Sequence, residues 1–199
     1  MKVAVLVSGR GSNLQALIDA VNAKILNIEI CLVLSDKANA YALERARKYD
    51  IPTSVVQRKK YINNEEFQKA LLEEVKLYGT ELVVLAGFMR ILGNTFLSHF
   101  HNKVINIHPA LLPAFPGIDA QKQAIDYGVR FSGCTVHFVD TGVDSGPIIS
   151  QRVVEVRPDD DRDMLADRIL EQEHELIVEG VKLFSEGKLR IDGRKVTIV

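Results

Sequence analysis

Lys2-Val3-Ala4-Val5-Leu6-Val7, running directly into Ser8-Gly9-Arg10-Gly11-Ser12-Asn13-Leu14-Gln15, decides the fold of this chain. A continuous apolar run without polar alternation reads as a strand buried on both faces. The glycines end it, and Asn13–Asn22 continues with helical spacing, Leu14, Leu17, Ile18 and Val21 forming one stripe. The alternation repeats outward. Ile28–Leu34 reads as a second strand, Tyr41–Lys48 as a helix ended by the Ile51-Pro52 break, and Ser54–Val56 as a short third strand. Glu65–Leu77 follows as a helix with Phe67, Leu71, Leu72 and Val75 inward. Then come a fourth strand over Glu81–Ala86, a short helix over Thr95–His99 and a fifth strand over Lys103–Ile107. Such βαβα alternation predicts an α/β fold in three layers, a parallel sheet covered by helices on both faces.

The second half changes character. Ala110–Gly117 carries Pro113 and Pro116 and reads as an irregular loop before a short helix over Ala120–Tyr127. Cys134–Val139 and Ile148–Val156 read as strands joined by the Asp140–Pro147 loop, which is too short for a helical crossover. An antiparallel step is therefore expected there. A long helix over Arg162–Ser185 precedes a hairpin of Leu189–Ile191 and Lys195–Val199, turned at Asp192-Gly193. The expected architecture is a mostly parallel seven-stranded sheet with an antiparallel step and a C-terminal hairpin. With no repeat, low-complexity segment or linker, residues 1–199 read as one domain.

Composition narrows the function classes. Lysine plus arginine (25) balances aspartate plus glutamate (26), which argues against nucleic acid or an anionic membrane as the main partner. Cys31 and Cys134 sit in apolar runs and form no C-x-x-C pair, so they read as buried hydrophobes in a reducing compartment. Val3–Val7 is too short for a signal segment, and Leu82–Leu92, interrupted by Gly87 and Arg90, falls short of a membrane span. A cytoplasmic protein is expected.

Two features carry chemistry. In Ser8–Gln15, glycines let backbone N–H groups approach a ligand, Ser12 or Asn13 can cap the following helix, and the helix dipole favours an anion. A dinucleotide fingerprint fails because Leu14 replaces its third glycine, although Asp36 sits where a ribose-binding acid would. No Gly-Lys-Ser/Thr follows, which excludes a P-loop, so the segment reads as a phosphate site. The second feature is Asn106-Ile107-His108-Pro109. Two residues apart at a strand end, Asn106 and His108 share a face, and Pro109 ends the ladder. With Asp144 in the glycine-bounded loop Gly142-Val143-Asp144-Ser145-Gly146, they suggest transfer of a carbonyl group: an amide and a charged imidazole for an oxyanion, and a carboxylate to keep the imidazole charged. Glu173 lies inside the apolar arc Leu165, Ile169, Leu176, Ile177 and Phe184, where a carboxylate is costly unless paired or used. His137 reads as packed and hydrogen-bonded, with indirect influence on the site. His99 and His101 read as solvated, and His174 as a surface residue. None has a partner at metal-ligand spacing, so no required metal is expected.

Together these segments closely resemble the phosphoribosylglycinamide formyltransferases, folate-dependent enzymes of purine synthesis. The resemblance rests on Ser8–Gln15, Gly87-Phe88-Met89-Arg90-Ile91-Leu92, Ile105–Pro109, Leu111–Gly117 and the run Gly133–Ile149, in the right order along essentially the whole chain. It implies a formyltransferase fold, with residues 1–100 as the nucleotide-binding half and 101–199 as the catalytic and folate-binding half. Gly11, Ser12 and Asn13 would hold the phosphate of glycinamide ribonucleotide, and Glu173 its ribose or amine. Met89, Arg90, Ile91 and Leu92, with Asn106, Asp140 and Asp144, would bind 10-formyltetrahydrofolate as cosubstrate. Asn106, His108 and Asp144 would be catalytic, with Asp144 raising the pKa of His108. A cis Leu112-Pro113 bond is also implied. Asn64 stands where relatives often carry an arginine near the folate tail, leaving Lys59, Lys60 or Arg90 for that grip; Leu170 replaces a polar substrate contact. A formyltetrahydrofolate hydrolase, typically with an extra N-terminal domain, or a methionyl-tRNA formyltransferase, typically with a C-terminal RNA-binding domain, would share the Asn-His-Asp core. Neither extension is seen, so the ribonucleotide transferase is expected, as a monomer or homodimer. A non-catalytic mononucleotide-binding module would leave Asn106, His108 and Asp144 unexplained.

Overall fold

The computed structural model describes residues 1–199 and divides into two compact units, Met1–Ile105 and Asn106–Val199. In the first unit, β1 (Lys2–Val7) pairs in parallel with β2 (Glu29–Ser35) on one side and β4 (Leu82–Leu85) on the other, and β2 pairs with β3 (Thr53–Val55). Neighbours on both sides and helices over the sheet explain the apolar run: Val3 to Val7 have no exposed surface. Helix α1 (Ser12–Asn22) buries Leu14, Leu17 and Ile18. Its cap corrects the expectation. Neither Ser12 nor Asn13 caps it; Gly11 does, in the left-handed region (φ 72°, ψ 36°), with no side-chain bond. The reason is packing: Ala42, in α2 (Tyr41–Arg47), would meet a Cβ on Gly11 at 2.5 Å, and its N–H bonds Gly9 O at 3.1 Å. The capping residue therefore has no side chain to offer the first turn. Helix α3 (Asn64–Leu77) starts one residue before the expected Glu65 because Asn63 caps it, accepting the Glu66 N–H at 2.9 Å. A four-residue α4 (Asn94–Leu97) and β5 (Val104–His108) follow.

In the second unit, α5 (Ala120–Tyr127) precedes β6 (Phe131–Phe138) and β7 (Ile148–Glu155), which pair antiparallel from Phe131↔Glu155 to His137↔Ile148. The expected step is there, but β6 begins three residues before Cys134. Gly133 lies inside the strand and serves close approach, since the Arg152 carbonyl leaves no room for a Cβ. Helix α6 (Arg162–Ser185), capped by Asp161, buries Leu165, Ile169, Leu176, Ile177 and Val181. Its Gly180 packs on Val136 of β6 where a Cβ would come within 2.7 Å. The closing hairpin, β8 (Leu189–Asp192) and β9 (Lys195–Ile198), turns at Gly193-Arg194 rather than Asp192-Gly193. Seven strands form one sheet in the order β3-β2-β1-β4-β5-β6-β7, the fold class expected. No helix is long and apolar enough to cross a membrane.

Candidate active site

Within the second unit, the end of β5 presents Asn106, half-buried, and His108, 4 % exposed. β6 brings His137, 1 % exposed, to Asn106: the amide nitrogen lies 3.1 Å from His137 Nε2. His137 Nδ1 lies 2.8 Å from the Phe138 carbonyl, which only accepts, so Nδ1 carries the proton and Nε2 accepts from Asn106. The second amide hydrogen of Asn106 faces Asp144 Oδ1 at 3.4 Å, a long contact that leaves it the more available donor. Asp144 closes the group. Its Oδ2 lies 3.3 Å from His108 Nδ1 and accepts the Gly117 N–H at 2.8 Å. On its other side, His108 Nε2 donates to the Phe115 carbonyl at 2.9 Å. Asn106, His108 and Asp144 are therefore brought together, with His137 as a fourth member.

The loop between β5 and α5 is tied from beneath. Thr135, fully buried, donates to the Ala110 carbonyl at 2.7 Å and accepts the Leu112 N–H at 3.1 Å, while Gln151 donates to both Thr135 Oγ1 and the Leu112 carbonyl. The Leu112-Pro113 bond is cis, as the resemblance implied. Phe115, Asp119 and Asp144 all take left-handed backbone (φ 54°, 56° and 50°). For Phe115 this is a strained conformation, and it is the residue whose carbonyl meets His108.

Burial corrects one expectation about charge. It pushes the pKa of His108 below its ordinary 6.5, outweighing the upward pulls of Asp144 and the Phe115 carbonyl. Asp144 does raise it, but the net direction is down. For Asp144, burial acts to raise the pKa, but the nearby His137 ring, the hydrogen bond from the Gly117 N–H and the pull of His108 bring it below 3.8.

In the first unit, the Gly11–Asn13 segment forms the start of α1, with Gly11 and Asn13 buried. Ser8 brackets the neighbouring loop: its N–H bonds Gly87 O at 3.0 Å and its hydroxyl accepts the Met89 N–H at 2.8 Å. Asp36 is committed internally, to the Ser8 hydroxyl at 2.6 Å and Arg90 Nε at 2.7 Å, and is no free ribose-binding acid. The Phe88–Leu92 segment divides. Phe88 and Leu92 are core, whereas Met89 and Ile91 are 60 % and 64 % exposed. The buried Gln68 fixes the segment by donating to the Ile91 carbonyl at 2.8 Å.

Comparison with known proteins identifies the family. Residues 1–181 match the formyl transferase domain. The chain belongs to the formyl transferase family. It is 43 % identical over 173 residues to the phosphoribosylglycinamide formyltransferase of Bacillus subtilis, covering 87 % of this chain and 89 % of that protein. It is also 47 % identical over 191 residues to a trifunctional purine biosynthetic protein, adenosine-3, of Drosophila pseudoobscura, covering 95 % of this chain but only 14 % of that protein's length. The crystal structure of glycinamide ribonucleotide transformylase 1 from Symbiobacterium toebii superposes with a TM-score of 0.99 at 45 % identity, over 100 % of this chain and 94 % of that one.

The remaining expected residues of this formyl transferase divide by setting. Asp140 Oδ1 accepts from the Gly142 N–H and the Ser145 hydroxyl, which shapes the loop that carries Asp144. Glu173 is 7 % exposed on the inner face of α6. Its charge adds to burial in pushing the Cys134 thiol up to about 12. His174 is half-buried rather than a surface residue, with Nε2 out of solvent. His99 and His101 are exposed. Three contributors had no sequence signal of their own: the Phe115 carbonyl, the Gly117 N–H and the Ser8–Asp36 link. Each acts through backbone or through a partner remote in sequence.

Proposed function

We propose that this formyl transferase transfers the formyl group of 10-formyltetrahydrofolate to the amine of glycinamide ribonucleotide, giving the formylated ribonucleotide and tetrahydrofolate in purine synthesis. The observation that carries this reading is the hydrogen-bonded group of Asn106, His108, Asp144 and His137 in a chain of this family. In the first unit, Gly11, Ser12 and Asn13 stand at the start of α1 and turn the positive end of that helix to the ribonucleotide's phosphate. There too, the exposed Met89 and Ile91, with the backbone of Arg90 and Leu92, line the folate ring's apolar face. In the second unit, Glu173 receives the ribose or amine, and Asp140 shapes the folate side of the Asp144 loop.

The amine nitrogen attacks the formyl carbon, and the carbonyl π pair moves to oxygen. Asn106 donates its loosely held N–H to that oxyanion. His108 acts by charge, since both ring nitrogens already face protein acceptors. The oxyanion favours protonation of the buried imidazole, so its charge grows in the transition state, where it stabilises most. Asp144 passes the proton lost by the amine toward the departing N10, which leaves as the C–N10 bond breaks. The ligands are small molecules in the cytoplasm, and the chemistry calls for no metal. The deciding assay follows formyl transfer to glycinamide ribonucleotide in parallel with release of formate. Transfer is the expected result. Formate release without formylated ribonucleotide would turn the reading into hydrolysis.

A further inference from the structure

Asp36 follows β2 and has no exposed side-chain surface, yet it binds a partly exposed cation: Arg90, 42 % exposed, at 2.7 Å. The pair lies on a cavity of about 310 Å³ in the first unit whose other cations are Lys37, Arg58 and Lys59. Four cations and one carboxylate thus line it. That carboxylate is anchored from behind by the Ser8 hydroxyl, which also takes the Met89 N–H. The cavity is therefore built for an anion, with a fixed opposing charge in its wall.

We propose that Asp36 is a specificity-determining residue that sets how strongly this cavity holds a chain of carboxylates, by neutralising Arg90. The inference rests on the folate reading. Folates end in one glutamyl residue or in several joined through γ-amides, and each added residue brings another carboxylate. With Asp36 ionised, Arg90 contributes little net charge, and Lys37, Arg58 and Lys59 carry the attraction. Each further carboxylate is then held less tightly than four free cations would hold it. Removing one fixed charge at such range changes affinity roughly three- to ten-fold for a multiply charged tail, and less for a singly charged one.

Asp36→Asn keeps an oxygen for the Ser8 hydroxyl but removes the charge, whereas Ser8→Ala breaks the link and keeps the charge. Calorimetric titration of the whole protein with tetrahydrofolate carrying one or three γ-glutamyl residues reads the difference. Asp36→Asn, or Asp36→Ser should the first fold poorly, raises the preference for the longer tail roughly three- to ten-fold and steepens its salt dependence. Lys59→Gln lowers that preference, and Ser8→Ala weakens both tails alike. An unchanged preference in both Asp36 variants overturns the assignment and leaves the folate reading standing. Conversely, if no variant takes tetrahydrofolate but free tri-γ-glutamate binds tighter to Asp36→Asn than to wild type, the folate reading fails and the charge assignment survives.

Discussion

Oδ2 of Asp144 stands 3.3 Å from Nδ1 of His108 and is held there by the Gly117 N–H at 2.8 Å. The same oxygen therefore faces the ring nitrogen and fixes the loop that carries the Phe115 carbonyl to the other side of the ring. A neutral His108 satisfies only one of these acceptors; the imidazolium satisfies both. Burial works the other way and outweighs them, which holds the pKa of His108 below its ordinary value.

Asp144→Asn removes the larger of the two upward influences, the carboxylate charge, and leaves the Phe115 carbonyl. The pKa of His108 should fall still further below its ordinary value, not return toward it, because burial is left with less opposition. In the formyl-transfer assay, kcat should drop by at least about a hundred-fold, the size seen when one electrostatic stabiliser is lost. The KM for the ribonucleotide should change little. NMR titration of the imidazole in both proteins checks the first half. A His108 pKa that does not move while the rate collapses would leave Asp144 as proton carrier alone.

Stability should follow the same group. The folded pKa of His108 lies below the unfolded 6.5, so the unfolded chain takes up this proton first as pH falls. The stability at stake is intact above pH 6.5 and is lost as pH drops toward the folded value. Asp144, also lowered, adds a separate loss once pH falls below about 3.8. Urea unfolding of wild type and His108→Gln between pH 7.5 and 5.5 should show the wild type losing stability faster. Parallel curves would mean that His108 is as easily protonated folded as unfolded.

His137 should act through Asn106. His137→Leu preserves bulk but leaves the amide donor without its acceptor, at a cost of about 1–3 kcal/mol to stability. The freed amide can then rotate toward Asp144 and turn its oxygen to the reacting carbonyl, so kcat should fall roughly ten- to hundred-fold. His137→Gln, which can restore an acceptor oxygen, should recover part of the loss. A stability loss with unchanged kcat would make the histidine a packing residue only.

Sequence reading reached most of the architecture because its signals are local. The unbroken run Val3–Val7 specifies a central strand, and the nine residues between Phe138 and Ile148 are too few for a helical crossover, which leaves an antiparallel return. Period two likewise places Asn106 and His108 on one face. The helix cap at Gly11 was not legible, since it depends on Ala42 pressing against the loop from another helix. Nor was the net direction of the His108 shift. An adjacent carboxylate can be inferred from composition of the site, but the amount of water excluded by Phe115, Thr135 and the cis-proline loop cannot. The commitment of Asp36 to Ser8 and Arg90 also needed three segments to meet.

The phosphate assignment needs a variant that changes charge without damaging the fold. Substituting Gly11 does not qualify. Even Gly11→Ala must occupy φ 72° and place its Cβ 2.5 Å from that of Ala42, at about 2–5 kcal/mol from backbone strain and overpacking together. A rise in any KM there would report disorder as much as a lost contact. Asn13→Asp is nearly isosteric and adds a negative charge in the first turn of α1, where the helix dipole tolerates it. Because Asn13 is buried, the new charge costs some stability that the helix dipole offsets in part, so the kinetics are compared well below the variant's melting temperature. If the phosphate sits on this turn, the new carboxylate repels it, and the ribonucleotide's KM should rise about ten-fold or more. The folate's KM should stay within about two-fold, and raising the salt concentration should recover part of the loss through screening. Equal rises for both substrates, or no salt response, would place the phosphate away from α1.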